Sequence, residues 1–311
     1  MKYRFVAAGL IVFLACACVS KQKPESTEGY IPVTGGKIWY RIDSEGDKTP
    51  LVLLHGGPGG TSYYLNPLTI LSKDRPVVFF DQLGCGRSDR ITSDSLMTVS
   101  SFVNQLEEIR NALGLKKFYL YGQSWGTILA AEYCLKYPGR VKALILSSPI
   151  LSTAKWIADA DTLISTLPDS IQQAIRENDA KGTYDSPAYL NAINAYYQQF
   201  VARNLPWSYD IDSSFAGMGV NVYLKMWGPS EFRSTGTLKN YDITARMNEI
   251  RVPTLFICGE FDEARPTTVR YYQSLVPGAK FSMIRDAAHM TMQDNPNEDI
   301  RVISEFLRDL E

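Results

Sequence analysis

A serine in a tight glycine motif is the first residue whose setting could do chemistry. Residues 122–126 read Gly-Gln-Ser-Trp-Gly, directly after the apolar run 118–121 and before the helical stretch 127–135. A strand, G-x-S-x-G and a helix, in that order, are typical of a nucleophile elbow, whose sharp turn projects the serine Oγ above a sheet. The motif alone is weak, but this context predicts Ser124 as a nucleophile.

A serine nucleophile needs a general base, and the usual base is imidazole. The chain has only two histidines, His55 and His289. Only His289 follows Ser124, and it lies in an Asp-Ala-Ala-His segment just past the apolar run 280–284. A loop after the last strand is where the base is expected. A surface or capping histidine is the alternative, which the upstream elbow disfavours.

The acid that orients the base should end the preceding strand. Residues 252–258 form a strongly β-type run, and an acidic loop with Glu260, Asp262 and Glu263 follows it. Asp262 is the best candidate to hold the tautomer of His289. Glu260 and Glu263 stay open as rivals on spacing alone, as does a merely solvated loop.

A transition-state oxyanion needs backbone donors. One is predicted at the start of the helix after the elbow, where the Trp125 N–H would face an anion. The run His-Gly-Gly-Pro-Gly-Gly at 55–60 follows the apolar strand 50–54. Consecutive glycines allow N–H groups to turn inward, so this loop is expected to supply the second donor.

The elements that must position these residues alternate along the chain. After a hairpin of strands 30–33 and 37–42, strands and helices follow one another outside residues 151–240. Such alternation predicts an α/β protein with a mostly parallel sheet covered by helices on both faces. The predicted strands are 50–54, 76–80, 117–121, 141–147, 252–258 and 279–284, and the predicted helices are 63–72, 98–113, 125–136, 266–275 and 296–309.

Taken together, the motifs resemble the prolyl iminopeptidases of the α/β-hydrolase superfamily, and within them the branch of the tricorn-interacting aminopeptidase. The resemblance covers roughly residues 29–310 and is carried by residues 55–59, 81–88 (Asp-Gln-Leu-Gly-Cys-Gly-Arg-Ser), 122–126, 221–232, 259–263 and the segment around His289. It implies an α/β-hydrolase fold that uses no cofactor. It also implies Ser124, Asp262 and His289 as nucleophile, acid and base.

The resemblance further implies an oxyanion hole made by the N–H groups of Gly57 and Trp125. Glu231 and Glu263 match two glutamates that hold the free α-ammonium of the substrate. Tyr223 matches a tyrosine near the substrate.

Residues 151–240 interrupt the alternation, and in this family such an insertion, after the strand that follows the elbow, is a helical cap over the active site. The core would be residues 29–150 and 241–311. Aromatic residues at helical spacing are more often cap core than pocket, so two or three are expected to face substrate, Tyr223 and Trp227 first. The cap aromatics are Tyr184, Tyr189, Tyr196, Tyr197, Phe200, Trp207, Tyr209, Phe215, Tyr223 and Trp227.

The N-terminus is typical of an export signal. A basic start precedes an apolar run of about eleven residues, shorter than the roughly twenty that span a membrane. Small residues before a cysteine predict a bacterial lipoprotein signal over residues 1–18, acylated at Cys18 or alternatively Cys16. A plain cleaved signal or a short anchor is the alternative. Residues 19–28 read as a flexible tether, so we expect a membrane-anchored protein facing the periplasm or the cell exterior.

Composition excludes other classes of function. The chain has 32 basic and 33 acidic residues and no basic block, which disfavours nucleic-acid binding. It has no C-x-x-C or H-E-x-x-H motif, so no metal site is predicted. Cys85, Cys134 and Cys258 are scattered in apolar or glycine-rich segments and are expected to be buried thiols. The oligomeric state is not predicted.

Three functions fit these residues. The first is a serine aminopeptidase that releases an N-terminal residue, preferably proline, from short peptides with a free N-terminus. The second is an esterase, lactonase or amidase that acts on a neutral acyl group. The third, a surface-anchored binding protein without activity, does not explain an intact triad. Glu231 and Glu263 separate the first two, because only an exopeptidase needs acids beside the scissile carbonyl to bind an ammonium.

Overall fold

The structure, a computed structural model, describes residues 25–311. The predicted signal 1–18, with Cys16 and Cys18, and residues 19–24 of the predicted tether lie outside the described residues. Within residues 25–311, every helix is too short or too polar to cross a bilayer.

One eight-stranded sheet organises the described chain, in the order β1-β2-β4-β3-β5-β6-β7-β8. Strands β3 to β8 run parallel, whereas the β1–β2 hairpin is antiparallel and joins the sheet beside β4. The mostly parallel sheet of the α/β-hydrolase fold is therefore confirmed. The strands are β1 Glu25–Val33, β2 Gly36–Ser44, β3 Leu51–Leu54, β4 Val77–Phe80, β5 Phe118–Gln123, β6 Val141–Ser147, β7 Thr254–Gly259 and β8 Lys280–Ile284.

Helices cover both faces of this sheet, as predicted. Phe102 of α1 and Ile128 of α2 pack in the core on one face, while Leu68 and Ile303 of α10 pack on the other. The α-helices are α1 Val99–Ala112, α2 Trp125–Lys136, α3 Thr153–Ile164, α4 Asp169–Lys181, α5 Pro187–Phe200, α6 Tyr209–Ala216, α7 Val220–Met226, α8 Pro266–Ser274, α9 Thr291–Asp294 and α10 Pro296–Arg308. The segments Tyr63–Lys73, Asp94–Leu96 and Thr244–Glu249 are 3₁₀ helices.

The first hairpin is longer than predicted. Its strands pair continuously from Glu25 opposite Ser44 to Val33 opposite Gly36. Residues 25–28 therefore belong to the sheet, so the expected tether 19–28 is wrong in its last four residues. Polar composition misled the prediction, because β1 is an edge strand and much of it is exposed to solvent.

Helices α3 to α7 form a separate layer that leaves the core after β6 and returns before β7. The two ends of this insertion lie side by side, since the Thr153 N–H donates to Tyr241 O and the Ile243 N–H donates to Leu151 O. Buried aromatic residues, including Tyr189 and Tyr196, form its own core. We refer to residues 151–240 as the cap.

The cap is also hydrogen-bonded to the core at the end of α5. The carbonyl oxygen of Phe200 accepts the N–H groups of Glu263 and His289, both at 3.2 Å, and Val201 O accepts the Met290 N–H at 2.8 Å. Loops that follow β7 and β8 are thus held directly by cap backbone.

Candidate active site

Ser124 occupies a strained turn between β5 and α2. Its φ of 54° lies in the left-handed region, which is rare for residues other than glycine. The glycines are needed for close approach, because a Cβ on Gly122 or on Gly126 would lie 2.3 Å from a backbone oxygen. The turn places Ser124 immediately before the first residue of α2, Trp125, whose N–H begins that helix.

Asp262 and His289 are brought together by the loops after β7 and β8. The Nδ1 atom of His289 lies 2.9 Å from Asp262 Oδ1. The carboxylate also accepts the N–H groups of Ala264, at 2.8 Å, and Gly259, at 3.1 Å, and Ser148 Oγ lies 2.6 Å from its Oδ2. Four donors therefore hold the carboxylate in place and fix the imidazole proton on Nδ1.

Ser124 and His289 line the same cavity, together with Gly56 and Gly57. Among the hydrogen bonds of residues 25–311, none joins Ser124 Oγ to His289 Nε2. Such bonds are often long in free enzymes and shorten when a substrate binds. The Nε2 atom stays available on the cavity side, 3.7 Å from Glu263 Oε1.

Two glutamates share this cavity with Ser124. Glu263 is buried, and within the described chain neither of its carboxylate oxygens has a hydrogen-bond partner. Glu231 comes from the cap loop after α7 and accepts the Tyr223 hydroxyl at 2.9 Å. Among residues 25–311, no lysine or arginine forms a salt bridge with either acid.

Burial raises the pKa of both carboxyl groups above the ordinary value for glutamate. For Glu263 the pKa is raised well above that value, first by burial and then by the charges of Glu231 and Asp262. For Glu231 burial also raises the pKa, against the smaller lowering influence of His289 and the Tyr223 hydroxyl. A cation placed between the two acids would relieve both costs.

Comparison with known proteins agrees with this arrangement. The profile of the alpha/beta hydrolase fold matches residues 49–296. A proline iminopeptidase of Heyndrickxia coagulans is 43% identical over 288 residues, which cover 91% of this chain and 99% of the relative. A proline iminopeptidase of Saccharolobus solfataricus is 35% identical, and the match covers 90% of this chain and 92% of the relative.

The chain belongs to the proline iminopeptidase family. The crystal structure of the proline iminopeptidase of Mycobacterium smegmatis superposes with a TM-score of 0.86 at 30% identity, covering 91% of this chain and 98% of that one. The similarity spans the cap as well as the core, so it includes the segments that carry Glu231 and Tyr223.

The cap aromatics expected at the pocket divide into two groups in this proline iminopeptidase family member. Tyr223 lines the cavity, and so do Tyr197 and Phe215. Trp227 does not reach the cavity wall. Its indole N–H turns away to donate to Ser230 O at 2.9 Å, and its ring packs edge-on against Trp156, which in turn packs against His289. The structure therefore does not place Trp227 among the residues that line this cavity, where sequence analysis expected it.

The structure adds residues that sequence analysis missed. Ser148 directly follows β6, has a φ of 48° and contacts Asp262, and Gln123 and Tyr64 line the cavity beside Ser124. Ser148 and Gln123 lie at the carboxyl ends of parallel strands. That placement is the signal that could have found them, because ligands and reacting groups gather at this edge of an α/β sheet.

The glycine loop 55–60 is held from outside the cavity. His55 is buried and accepts the Gln82 N–H through Nε2 at 2.9 Å, while Gln82 Oε1 accepts the Trp125 indole N–H at 2.9 Å. His55 therefore supports the loop. Cys85, Cys134 and Cys258 are buried free thiols, and within residues 25–311 no group of side chains has a metal-binding arrangement.

Proposed function

We propose that this protein is a serine aminopeptidase that releases an N-terminal residue, preferably proline, from short peptides. The observation that carries the proposal is the buried Glu263, which has no hydrogen-bond partner among residues 25–311 and lies beside Glu231 in the cavity that holds Ser124. Buried carboxylates without a cation are costly. The α-ammonium of a peptide supplies that cation at the position an exopeptidase requires.

In this mechanism Ser124 Oγ attacks the carbonyl carbon of the first residue, and His289 accepts the hydroxyl proton. Asp262 keeps the imidazole oriented and stabilises the imidazolium. The developing oxyanion accepts hydrogen bonds from the N–H groups of Gly57 and Trp125.

His289 then returns the proton to the departing amine, and the peptide leaves as the acyl-enzyme forms. A water molecule, deprotonated by the same imidazole, hydrolyses the acyl-enzyme. Proline suits this scheme because its ammonium carries two N–H donors, one for each of Glu231 and Glu263.

The family favours this function over the alternative of an esterase, lactonase or amidase. The test compares release of arylamine from free prolyl, alanyl and leucyl arylamides with cleavage of N-acetylprolyl arylamide and of a small acetate ester. We expect the free prolyl arylamide to be cleaved best and the N-acetylated one not at all. Equal cleavage of both would instead support an amidase. Ser124→Ala, which should abolish turnover of every substrate, is the control for contaminating hydrolases.

We also propose that the chain is exported as a lipoprotein, acylated at Cys18 or Cys16. The support is the basic start, the short apolar run and the small residues before each cysteine. The wild type should fractionate with membranes, and a Cys16→Ser/Cys18→Ser variant should lose the lipid in mass spectrometry. Recovery of wild-type chain as a soluble, unacylated species would leave only a plain signal.

A further inference from the structure

One side chain lies between the glycine loop 55–60 and the loop after β8 that carries His289. Gln123, the residue before Ser124, is buried at the end of β5. Its Nε2 donates to the carbonyl oxygen of His289 at 3.2 Å, and its Oε1 accepts the Tyr64 hydroxyl at 2.6 Å. Both ends of the amide are therefore engaged, each by a different segment of the cavity wall.

Tyr64 extends this connection to the glycine loop. Its hydroxyl oxygen accepts the Gly56 N–H at 2.7 Å while its proton goes to Gln123. Tyr64 lies in the 3₁₀ helix Tyr63–Lys73 and is also buried. A continuous chain of three hydrogen bonds thus runs from Gly56 through Tyr64 and Gln123 to His289.

The chain of bonds is tightly packed against the nucleophile. A Cβ added to Gly56 would lie 2.7 Å from Gln123 Oε1, 3.0 Å from Ser124 Cβ and 3.2 Å from the Tyr64 hydroxyl. The glycine loop, Gln123 and Ser124 are therefore in van der Waals contact. A shift of the Gln123 amide would displace the loop that carries Gly57.

Ser148 does not replace Gln123 at the His289 carbonyl. Its hydroxyl lies 2.9 Å from that oxygen but 2.6 Å from Asp262 Oδ2. A hydroxyl has one proton, and the charged carboxylate is the stronger acceptor. The carbonyl oxygen of His289 therefore accepts its side-chain hydrogen bond from the Gln123 amide.

We propose that Gln123 is a positioning residue that sets the distance between the glycine loop 55–60 and His289, the general base. It acts through Tyr64 on the glycine loop and through the His289 carbonyl on the imidazole. The proposal rests on the serine acyl-transfer chemistry proposed above, but not on the choice of an amine substrate. Loss of the amide should lower kcat, because misplacement of reacting groups by about 1 Å can cost on the order of a hundredfold.

The test uses Gln123→Met, which keeps the volume of the side chain and removes both hydrogen bonds, and Tyr64→Phe, which removes the relay hydroxyl. Each should lower kcat about ten- to hundredfold on prolyl arylamide and on the acetate ester alike, with KM within about twofold. The double variant should be little worse than Gln123→Met, since both changes break one chain of bonds.

Tyr121→Phe is the matched control. Tyr121 lies two residues before Gln123 on the same strand, is fully buried, and its hydroxyl has no partner among the described residues. Its removal should leave kcat within about twofold. Gln123→Glu is the second variant, in case Gln123→Met does not fold. It keeps the acceptor for Tyr64 and loses the donor to His289, so Tyr64→Phe should still lower kcat further in that background.

Additive losses in the Gln123→Met/Tyr64→Phe double variant would overturn the proposal, as would a loss confined to KM or wild-type kcat in Gln123→Met. A loss seen with arylamide but not with ester would place Gln123 in substrate binding and would also overturn it. If the wild type cleaves only the ester, the aminopeptidase proposal fails, while the Gln123 comparison is still decided on the ester.

Discussion

Asp262 and Glu263 are neighbours in the chain and opposites in their surroundings. The Asp262 carboxylate has four donors around it, including His289 Nδ1 and two backbone N–H groups. The Glu263 carboxylate is equally buried and, within residues 25–311, has no hydrogen-bond partner. Because successive side chains on this loop point in different directions, the protein supplies hydrogen-bond donors to the Asp262 carboxylate. Within the described residues it supplies none to the Glu263 carboxylate.

The two environments suit two different tasks. A carboxylate that orients a base must be fixed before the substrate arrives, so the protein supplies its partners. A carboxylate that recognises a cation gains most when its partner comes with the ligand. Asp262 has the first environment and Glu263 the second, shared across the cavity with Glu231.

Substitution of Asp262 should have the greatest effect on activity. Asp262→Asn keeps the shape but lets the amide donate to the imidazole, which favours the wrong tautomer of His289. We expect kcat to fall on the order of 10⁴-fold on both prolyl arylamide and acetate ester. Glu260→Gln, an exposed acid on the same loop, is the control and should change kcat by less than twofold. A comparable loss in Glu260→Gln would reassign the acid.

Substitution of the two cavity glutamates should have the next greatest effect. Glu263→Gln and Glu231→Gln should each lower kcat/KM for the free prolyl arylamide roughly ten- to hundredfold, since a hydrogen bond to a charged group contributes about 1.5–3 kcal/mol. Steady-state kinetics on the acetate ester should be almost unchanged. Equal losses on both substrates would show that these acids do not act by binding an ammonium.

A third experiment compares the stability of the wild type with that of Glu263→Gln as the pH is changed. Folding raises the pKa of Glu263, so the folded wild type holds its proton to higher pH than the unfolded chain does. Wild-type stability should therefore fall as pH rises through the ordinary glutamate pKa towards the raised one, by at most about 1.4 kcal/mol per pH unit. Glu263→Gln removes this loss.

Urea unfolding of wild type and Glu263→Gln at pH 4 and pH 8 measures the effect. The stability advantage of the variant should be larger at pH 8 than at pH 4. Addition of a saturating prolyl ligand at pH 8 should reduce it, because the ligand cation favours the ionised acid. An advantage that does not change with pH would contradict a raised pKa.

The hydroxyl of Ser148 should contribute least to the position of Asp262. Ser148→Ala removes one of the four donors of Asp262 and leaves the other three. We expect kcat to fall about three- to tenfold on both substrates, the cost of roughly one hydrogen bond. A loss as large as that of Asp262→Asn would mean that Ser148 alone orients the carboxylate.

Much of the fold was predictable because its signals are local. Apolar runs marked every strand of the parallel part of the sheet to within a few residues, and the predicted fold class is confirmed. The edge strand β1 was the exception, because the exposed polar residues 26–28 carry no apolar pattern. The segment Tyr63–Lys73 is helical as predicted but is a 3₁₀ helix containing Pro67, which lacks an N–H to donate.

The site was predictable where a motif fixes geometry and unpredictable where packing decides. Ser124 and His289 lie in segments whose position follows from strand order. Trp227 was expected at the cavity but its ring packs against Trp156 instead. Its sequence neighbourhood predicts the end of α7 but not the hydrogen-bond partner of its indole. Gln123 and Tyr64 are 59 residues apart, and their 2.6 Å contact exists only in the folded chain.

The carbonyl of Phe200, held by the N–H groups of Glu263 and His289, has a consequence for protein engineering and for divergence within the family. Substrate preference in such enzymes is an attractive target for exchanging caps between relatives. Here the cap backbone that would be exchanged also holds the loop after β8, which carries His289, and the loop after β7, which carries Asp262 and Glu263. A chimera joined at residues 151 and 240 would inherit both a new pocket and a new setting for His289. Mutations that alter preference and mutations that restore turnover should therefore accumulate together.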